Sequence, residues 1–337
     1  MASRRLSAPS IANPALATAQ AAAEFRSHAL RLPAQAAGLR FDQALARALP
    51  QYSRALLKAW IESGAVQVEG RALRAKDKVL GGEQVRIEAQ LAAHTAAAAE
   101  AIPLAVVYQD PSVFIINKPP GLVVHPGAGN PRHTLQNALL GLDPQLALLP
   151  RAGLVHRLDK DTSGLLVVAR TPEAHAALTA AMASRRIGRE YLALCTGVMT
   201  AGGTVTEPIG RHRSQRTRMA VRADGRPAVT RYRIAKRFRA HTLVRVELET
   251  GRTHQIRVHL AHIGFPVVGD PLYAGRRRVP AGCTPALSAE LQAFPRQALH
   301  AARLRLTHPV TGRELTWEAP LPEDIQRLLA ALEAEGS

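Results

Sequence analysis

Residues 154–169 constrain this chain more than any other stretch. Leu154-Val155-His156-Arg157-Leu158-Asp159-Lys160-Asp161-Thr162-Ser163-Gly164 runs into Leu165-Leu166-Val167-Val168-Ala169. A charged loop is held between two short apolar runs bounded by Gly153 and Gly164. Short Val- and Leu-rich runs punctuated by glycine predict buried strands. A loop pinned by such strands keeps its side chains in fixed positions, as a reacting group requires. Asp159 stands between Arg157 and Lys160, and nearby cations favour the charged form of an acid. A charged hairpin taken alone is ordinary solvated surface. The rest of the chain must decide.

The same texture recurs from residue 103 onward. Strand-like runs fall at 105–108, 113–117, 122–125, 154–156, 165–169, 191–196, 228–234, 243–249 and 304–307. Helix-like stretches fall at 134–142, 173–184, 253–263 and 323–335. Strands dominate and turns are short. This predicts an α+β (mixed α/β) domain over 103–332, built on an extended, mainly antiparallel mixed sheet flanked by helices.

A smaller unit precedes it at 38–90. Phe41, Leu45 and Leu49 recur every four residues until Pro50 ends the helix. Ser53 offers an N-cap to a second helix with an apolar stripe of Leu56, Leu57, Trp60 and Ile61. Arg54 and Lys58 fall on its opposite face, as an RNA-facing pair or as solvated charge. Val66–Val68 and Val85–Ile87 alternate like strands. Residues 91–102 lack strand and turn signals and read as a linker. Residues 1–37, rich in Ala, Ser and Pro, read as a disordered leader.

Composition narrows the partners. The 337 residues carry a net charge of +18, and so basic a chain meets a polyanion. No apolar stretch approaches the roughly 20 residues that span a bilayer, and no secretory signal is visible. No membrane partner is therefore expected. Two cysteines, Cys195 and Cys283, make neither a disulfide framework nor a Cys-rich zinc site. A cytoplasmic location fits.

Three further constellations carry chemistry. In Glu249-Thr250-Gly251-Arg252-Thr253-His254-Gln255-Ile256-Arg257 a strand ends at glycine and a helix begins, with Thr253 as its expected N-cap. Arg257 can project from that helix to a buried carboxylate, and Asp159 is the natural partner; an exposed surface helix is the plainer reading. His254, His259 and His262 share the segment, but with no Cys or acidic ligand nearby a metal site is disfavoured. The basic run at 211–239 includes Arg211, Arg213, Arg216 and Arg218 and only one acid, Asp224. That density repels itself unless a phosphate backbone lies against it. Tyr191 opens an apolar run as core, or as a stacking face for a base drawn from its helix. No glycine-rich phosphate loop is present to bind a nucleotide cofactor.

Together these motifs resemble the RluA-type pseudouridine synthases. The matches are Asn117-Lys118-Pro119-Pro120-Gly121-Leu122-Val123-Val124-His125-Pro126, then 156–164, Arg189-Glu190-Tyr191, 251–259, Gly269-Asp270-Pro271-Leu272-Tyr273 and Gln297-Ala298-Leu299-His300-Ala301. They run in order over about 103–322, and residues 38–90 resemble the S4 RNA-binding module. The resemblance implies isomerisation of uridine to pseudouridine without cofactor or metal; the chain is expected to act as a monomer. Local wording is closest to members acting on large-subunit ribosomal RNA, with a hairpin-loop target. It implies Asp159 as the catalytic aspartate, by attack on the ribose or abstraction of a sugar proton. It further implies Arg257 as that aspartate's partner, and Tyr191 as the aromatic that stacks on the base and assists at C5. Arg157 is implied to fill the gap left by the flipped nucleotide. One departure is Arg189, where members often carry lysine. The same chemistry on transfer RNA, a non-catalytic ribosome-assembly factor and a metal-dependent nuclease stand as alternatives. Intact Asp159, Tyr191 and Arg257 argue against the second, and missing acidic ligands against the third.

Overall fold

The computed structural model describes residues 10–12, 24–52, 54–91, 97–127, 129–215, 217–276 and 279–335. The first strands are β1 (Ser10–Ala12) and β2 (Glu24–Arg31), followed by helices α1 (Phe41–Ala48) and α2 (Arg54–Glu62). Next come β3 (Val66–Val68) and β4 (Gln84–Leu91). Strands β2, β4 and β3 form an antiparallel sheet in that order. Phe41, Leu45, Leu57, Trp60 and Ile61 bury against Val66, Val85 and Ile87. The apolar spacing therefore places both helices as expected. The N-cap expected at Ser53 lies outside the described residues.

Strand β2 corrects the reading of 1–37 as a leader, since Glu24–Arg31 is sheet and β1 pairs with a strand of the larger sheet. Its signal is weak because the side chains turned inward include Arg26 and His28 beside Leu30. Residues 1–9 and 13–23 lie outside the described residues. Strand β4 reaches Leu91. Of the expected linker, 92–96 lie outside the described residues and 97–102 have no helix or strand.

The larger sheet begins with β5 (Leu104–Gln109) and β6 (Val113–Lys118). Helix α3 (Leu135–Leu142) follows, then β7 (Ser163–Ala169), α4 (Pro172–Ala183) and β8 (Gly188–Thr196). Short strands β9 (Gly203–Val205), β10 (Ile209–Arg211) and β11 (Met219–Val221) precede β12 (Thr230–Arg237) and β13 (His241–Leu248). The remaining elements are α5 (Gln255–His262), α6 (Pro285–Ala293), β14 (Leu299–Thr307), β15 (Glu314–Glu318) and α7 (Glu323–Ala334). The sheet order is β1-β5-β6-β7-β14-β8-β13-β12-β9, with β15 beside β14. Among these pairings only β7–β14 is parallel, so the expected mixed, mainly antiparallel sheet is present.

Successive side chains of a strand point to opposite faces. Phe114, Ile116, Leu166 and Val168 face one cluster with α3, α5, α6 and α7, while Val113, Ile115, Leu165 and Val167 face another with α4 and Trp317. Both faces of β6 and β7 are covered, which is why these runs read as continuously apolar. Helix α3 starts at a reciprocal cap, Thr134 with Asn137, and α4 at Thr171 followed by Pro172. Two expected strands, 122–125 and 154–156, are single bridges only, Val123 to Thr134 and Leu154 to Val168. Helix α6 was not anticipated. Its buried stripe is only Leu287 and Leu291, too thin for a periodic signal.

Candidate active site

Asp159 lies in the loop between the Leu154 bridge and β7. Ordinary turn residues do not hold this loop. Lys118 Nζ, wholly buried (0% exposed), donates to the carbonyls of Lys160 (2.8 Å), Pro119 (2.7 Å) and Leu122 (3.0 Å). Burial pulls the Lys118 pKa down to about 7, against the pull of Asp161. Arg296 donates to the carbonyl of Asp161 (3.0 Å), and Gln297 Nε2 to Thr162 Oγ1 (3.1 Å). His156 Nε2 accepts from the Val167 amide at 3.2 Å. Burial holds the His156 pKa down to about 3, so the ring is neutral. Gly164 closes the loop at φ +113°, where a Cβ would come within 2.3 Å of the Ala301 carbonyl oxygen. No side chain fits there.

The ion pair expected between Arg257 and Asp159 is present, Nη1 to Oδ2 at 3.1 Å. The Asp159 side chain keeps 17% of its surface open, that of Arg257 only 5%. A second acid that sequence reasoning had not assigned completes the site. Asp270 takes Arg257 in a two-pronged grip, Nε to Oδ2 at 2.6 Å and Nη2 to Oδ1 at 2.8 Å. Burial opposes the charge on Arg257, but hydrogen bonds and attraction from Asp270, then Asp159, overcome it and hold its pKa above the usual value. The one available signal for Asp270 was its place in the quoted Gly-Asp-Pro-Leu-Tyr run.

Helix α5 begins one residue later than expected. His254, not Thr253, is the N-cap, in the left-handed conformation (φ 57°) and with no side-chain cap bond. Gln255 does the local work instead. Its Oε1 accepts from Thr250 Oγ1 (2.8 Å) and the Arg252 amide (2.9 Å), while Nε2 donates to Thr230 Oγ1 and the Val229 carbonyl. The start of α5 is thus tied to β12, and Arg257, two residues on, is aimed inward at Asp159 and Asp270.

The Asp159 loop, β8 and the start of α5 line one cavity of about 750 Å³. Asp159 and Arg157, Tyr191 and Arg257 all face it, so four sequence-predicted residues from three separate segments meet. Tyr191, on β8, is 5% exposed. Burial raises its pKa, as does nearby Asp159, against the opposing pull of Arg189, so the phenol stays protonated at neutral pH. Arg151, Arg185, Arg189 and Arg252 also line the cavity, against only Asp159 and Glu249 on the acidic side. Such a wall attracts an anionic ligand.

The other candidate RNA-binding residues lie elsewhere. Arg211 and Arg213 are exposed on the β10–β11 hairpin. Arg218, half-buried there, sits over the Tyr273 ring, and Arg216 lies outside the described residues. Arg54 is engaged by buried Asp42 at 2.6 Å, and Lys58 by Glu62 at 3.4 Å; neither lines the cavity. His259 uses Nδ1 on Thr230 Oγ1 and Nε2 on the Glu207 carbonyl, and His254 Nδ1 lies 2.8 Å from the Tyr273 hydroxyl. Among the described residues no group of three His, Cys, Asp or Glu is arranged to hold a metal, and no helix is long and apolar enough to cross a membrane.

The family model for RNA pseudouridylate synthases matches residues 112–262, and that for the S4 domain matches 39–85. The ribosomal large subunit pseudouridine synthase D of Xanthomonas campestris pv. campestris is 54% identical over 306 residues, 91% of this chain and 92% of that protein. The protein of the same name from Escherichia coli K12 is 54% identical over 299 residues, 88% of this chain and 92% of its own length. Among solved structures, human RNA pseudouridylate synthase domain containing 4 superposes with a TM-score of 0.53 at 27% identity, over 68% of this chain and 92% of that one.

Proposed function

This chain belongs to the RNA pseudouridylate synthase family, and from that premise we propose that it isomerises uridines of large-subunit ribosomal RNA, with Asp159 as the reacting carboxylate. The observation that carries the proposal is the Asp159–Arg257 pair at 3.1 Å on the wall of a cavity rich in arginine. Relatives named for the large ribosomal subunit, alike over nine-tenths of the chain, support the choice of RNA.

The reaction breaks the bond from uracil N1 to ribose C1′ and forms one from C5 to C1′; C5 gives up its proton and N1 ends bearing one, so the atoms balance without an added reagent. A carboxylate serves as nucleophile toward C1′ or as base toward a sugar proton. Either role needs an oxygen held in place. Arg257 engages Oδ2 of Asp159, and Asp270 fixes Arg257 from behind. Tyr191 supplies an aromatic face and a neutral phenol for the everted base. Arg157, exposed at the cavity, fills the place that the base leaves. Everting a nucleotide costs a few kcal/mol, least where it is already unpaired, which favours a loop uridine. The β10–β11 hairpin and the module around α2 add RNA contacts outside the cavity.

Pseudouridine mapping of ribosomal and transfer RNA from cells lacking the chain tests the proposal. Specific large-subunit sites are expected to revert to uridine and to be restored by the wild-type gene but not by Asp159→Asn. An unchanged large-subunit pattern overturns the choice of RNA.

A further inference from the structure

Tyr273 touches the basic hairpin twice and the catalytic helix twice. Its hydroxyl accepts the amide proton of Met219, on β11, at 2.9 Å. The same oxygen lies 2.8 Å from Nδ1 of His254, the N-cap of α5. The guanidinium of Arg218 lies 5.3 Å from the ring centroid, and that of Arg257 lies 5.1 Å from it. Asp270 Oδ1 accepts from the Leu272 and Tyr273 amides and also from Arg257 Nη2. One carboxylate therefore sets both the turn that carries the tyrosine and the arginine that engages Asp159.

The hairpin is seated on this assembly. Met219, Val221 and Tyr273 pack on a small buried cluster of Ile209, Ala228 and Val258, the last being the neighbour of Arg257. Arg218 donates to Gln215 Oε1 at 2.8 Å but forms no ion pair among the described residues, and its Nε is buried without a hydrogen-bond partner. A buried donor without an acceptor is costly. The solvent-facing side of this half-buried cation is left to meet a phosphate oxygen. The cation that would meet the RNA backbone is thus the one that rests on Tyr273.

We infer that Tyr273 is a positioning residue that couples RNA seated on the β10–β11 hairpin to the aim of Arg257, and through it to Asp159. The inference rests on the proposed reading of the chain as an RNA-modifying isomerase. A phosphate held by Arg218 clamps the hairpin down. The Met219 amide then fixes the phenol, the phenol fixes the His254 cap, and the ring fixes the guanidinium of Arg257. The hairpin accordingly contributes to rate and not to affinity alone.

Single-turnover pseudouridine formation on a large-subunit ribosomal RNA transcript tests this, with Kd measured separately. Tyr273→Phe keeps the ring and loses two hydrogen bonds. Its rate at saturating RNA is expected to fall about tenfold with little change in Kd. Arg218→Ala is expected to weaken binding and also to lower the saturating rate, with Arg218→Lys recovering part of that rate. The double variant is expected to be no slower than Tyr273→Phe, because both changes break one connection. Arg218→Ala with a wild-type saturating rate, or effects that multiply independently, overturns the coupling. Arg218 is partly solvent-facing, so its variants report even if Tyr273→Phe is poorly folded. A wild-type chain that forms no pseudouridine overturns instead the reading on which the inference rests.

Discussion

Asp270 grips Arg257 through two hydrogen bonds, 2.6 and 2.8 Å long, and the Asp270 side chain has no solvent exposure. Asp159 shares the same guanidinium but stays partly open to the cavity. The two acids thus divide the labour, one holding the arginine and the other facing the ligand. Removing one partner of a buried pair leaves the other charge stranded, at a cost of roughly 3–5 kcal/mol. Asp270→Asn is expected to lower the melting temperature by about 10 °C and to reduce the reaction rate as well. Thermal unfolding checks the first effect, and equal melting points for variant and wild type would refute it.

Asp159→Asn keeps the shape of the side chain and removes its charge. Pseudouridine formation is expected to fall by roughly a thousandfold or more, while RNA affinity survives. Product analysis by mass spectrometry alongside a filter-binding assay separates the two. Full activity in this variant would end the assignment of Asp159.

Lys118→Met fills much the same volume but leaves three carbonyls, those of Pro119, Leu122 and Lys160, without their donor. Each buried group left unmatched costs about 1–3 kcal/mol. The variant is expected to be less stable, and the loop bearing Asp159 to lose protection in amide hydrogen exchange. Unaltered exchange across 158–162 would show that the lysine does not anchor the loop.

How much of this was legible beforehand follows from what each residue contributes to a pattern. Helices α1 and α2 were readable because Phe41, Leu45, Leu57, Trp60 and Ile61 repeat with helical spacing. Strand β2 was not, because Arg26 and His28 occupy inward positions where apolar residues would announce a sheet. Asp159 and Arg257 were readable as opposite charges on rigid elements, within motifs of a known family. Asp270, Lys118 and Arg296 were not assigned roles. A polar residue at a turn has the same local signature whether it is solvated or buried, and only tertiary contacts tell the two apart.

Acid should loosen the fold through its neutral buried histidines. His300 accepts from Ser163 Oγ at Nδ1 (2.9 Å) and donates through Nε2 to the Ala319 carbonyl (3.3 Å). Burial depresses its pKa from 6.5 to about 4, and that of His156 to about 3. Below pH 6.5 the unfolded chain takes up protons that the folded chain refuses. The stability these residues contribute is therefore complete above pH 6.5 and declines as pH falls toward 4 and then 3. Denaturant unfolding from pH 8 to 4 is expected to show stability dropping below 6.5, with the drop reduced in His300→Gln. A flat profile would contradict the neutral assignment.

If Arg211, Arg213 and Arg218 meet phosphates as proposed, they release counterions, and RNA affinity is expected to depend steeply on salt. A plot of log K against log salt concentration is expected to slope by about −0.7 to −0.9 for each phosphate contact. Alanine at Arg213 is expected to make the slope shallower by about one such step. A slope that the substitution leaves unchanged would remove this residue from the interface.

The position of β14 has a consequence for how the enzyme comes into being on its own ribosome. This strand, late in the chain, lies between β7 and β8, which are far earlier. A nascent polypeptide that has not yet emerged past Thr307 has two half-sheets with a gap between them, one bearing Asp159 and the other Tyr191. Leu299–Thr307 closes that gap, so a chain cut short before Leu299 is expected to lack an assembled centre.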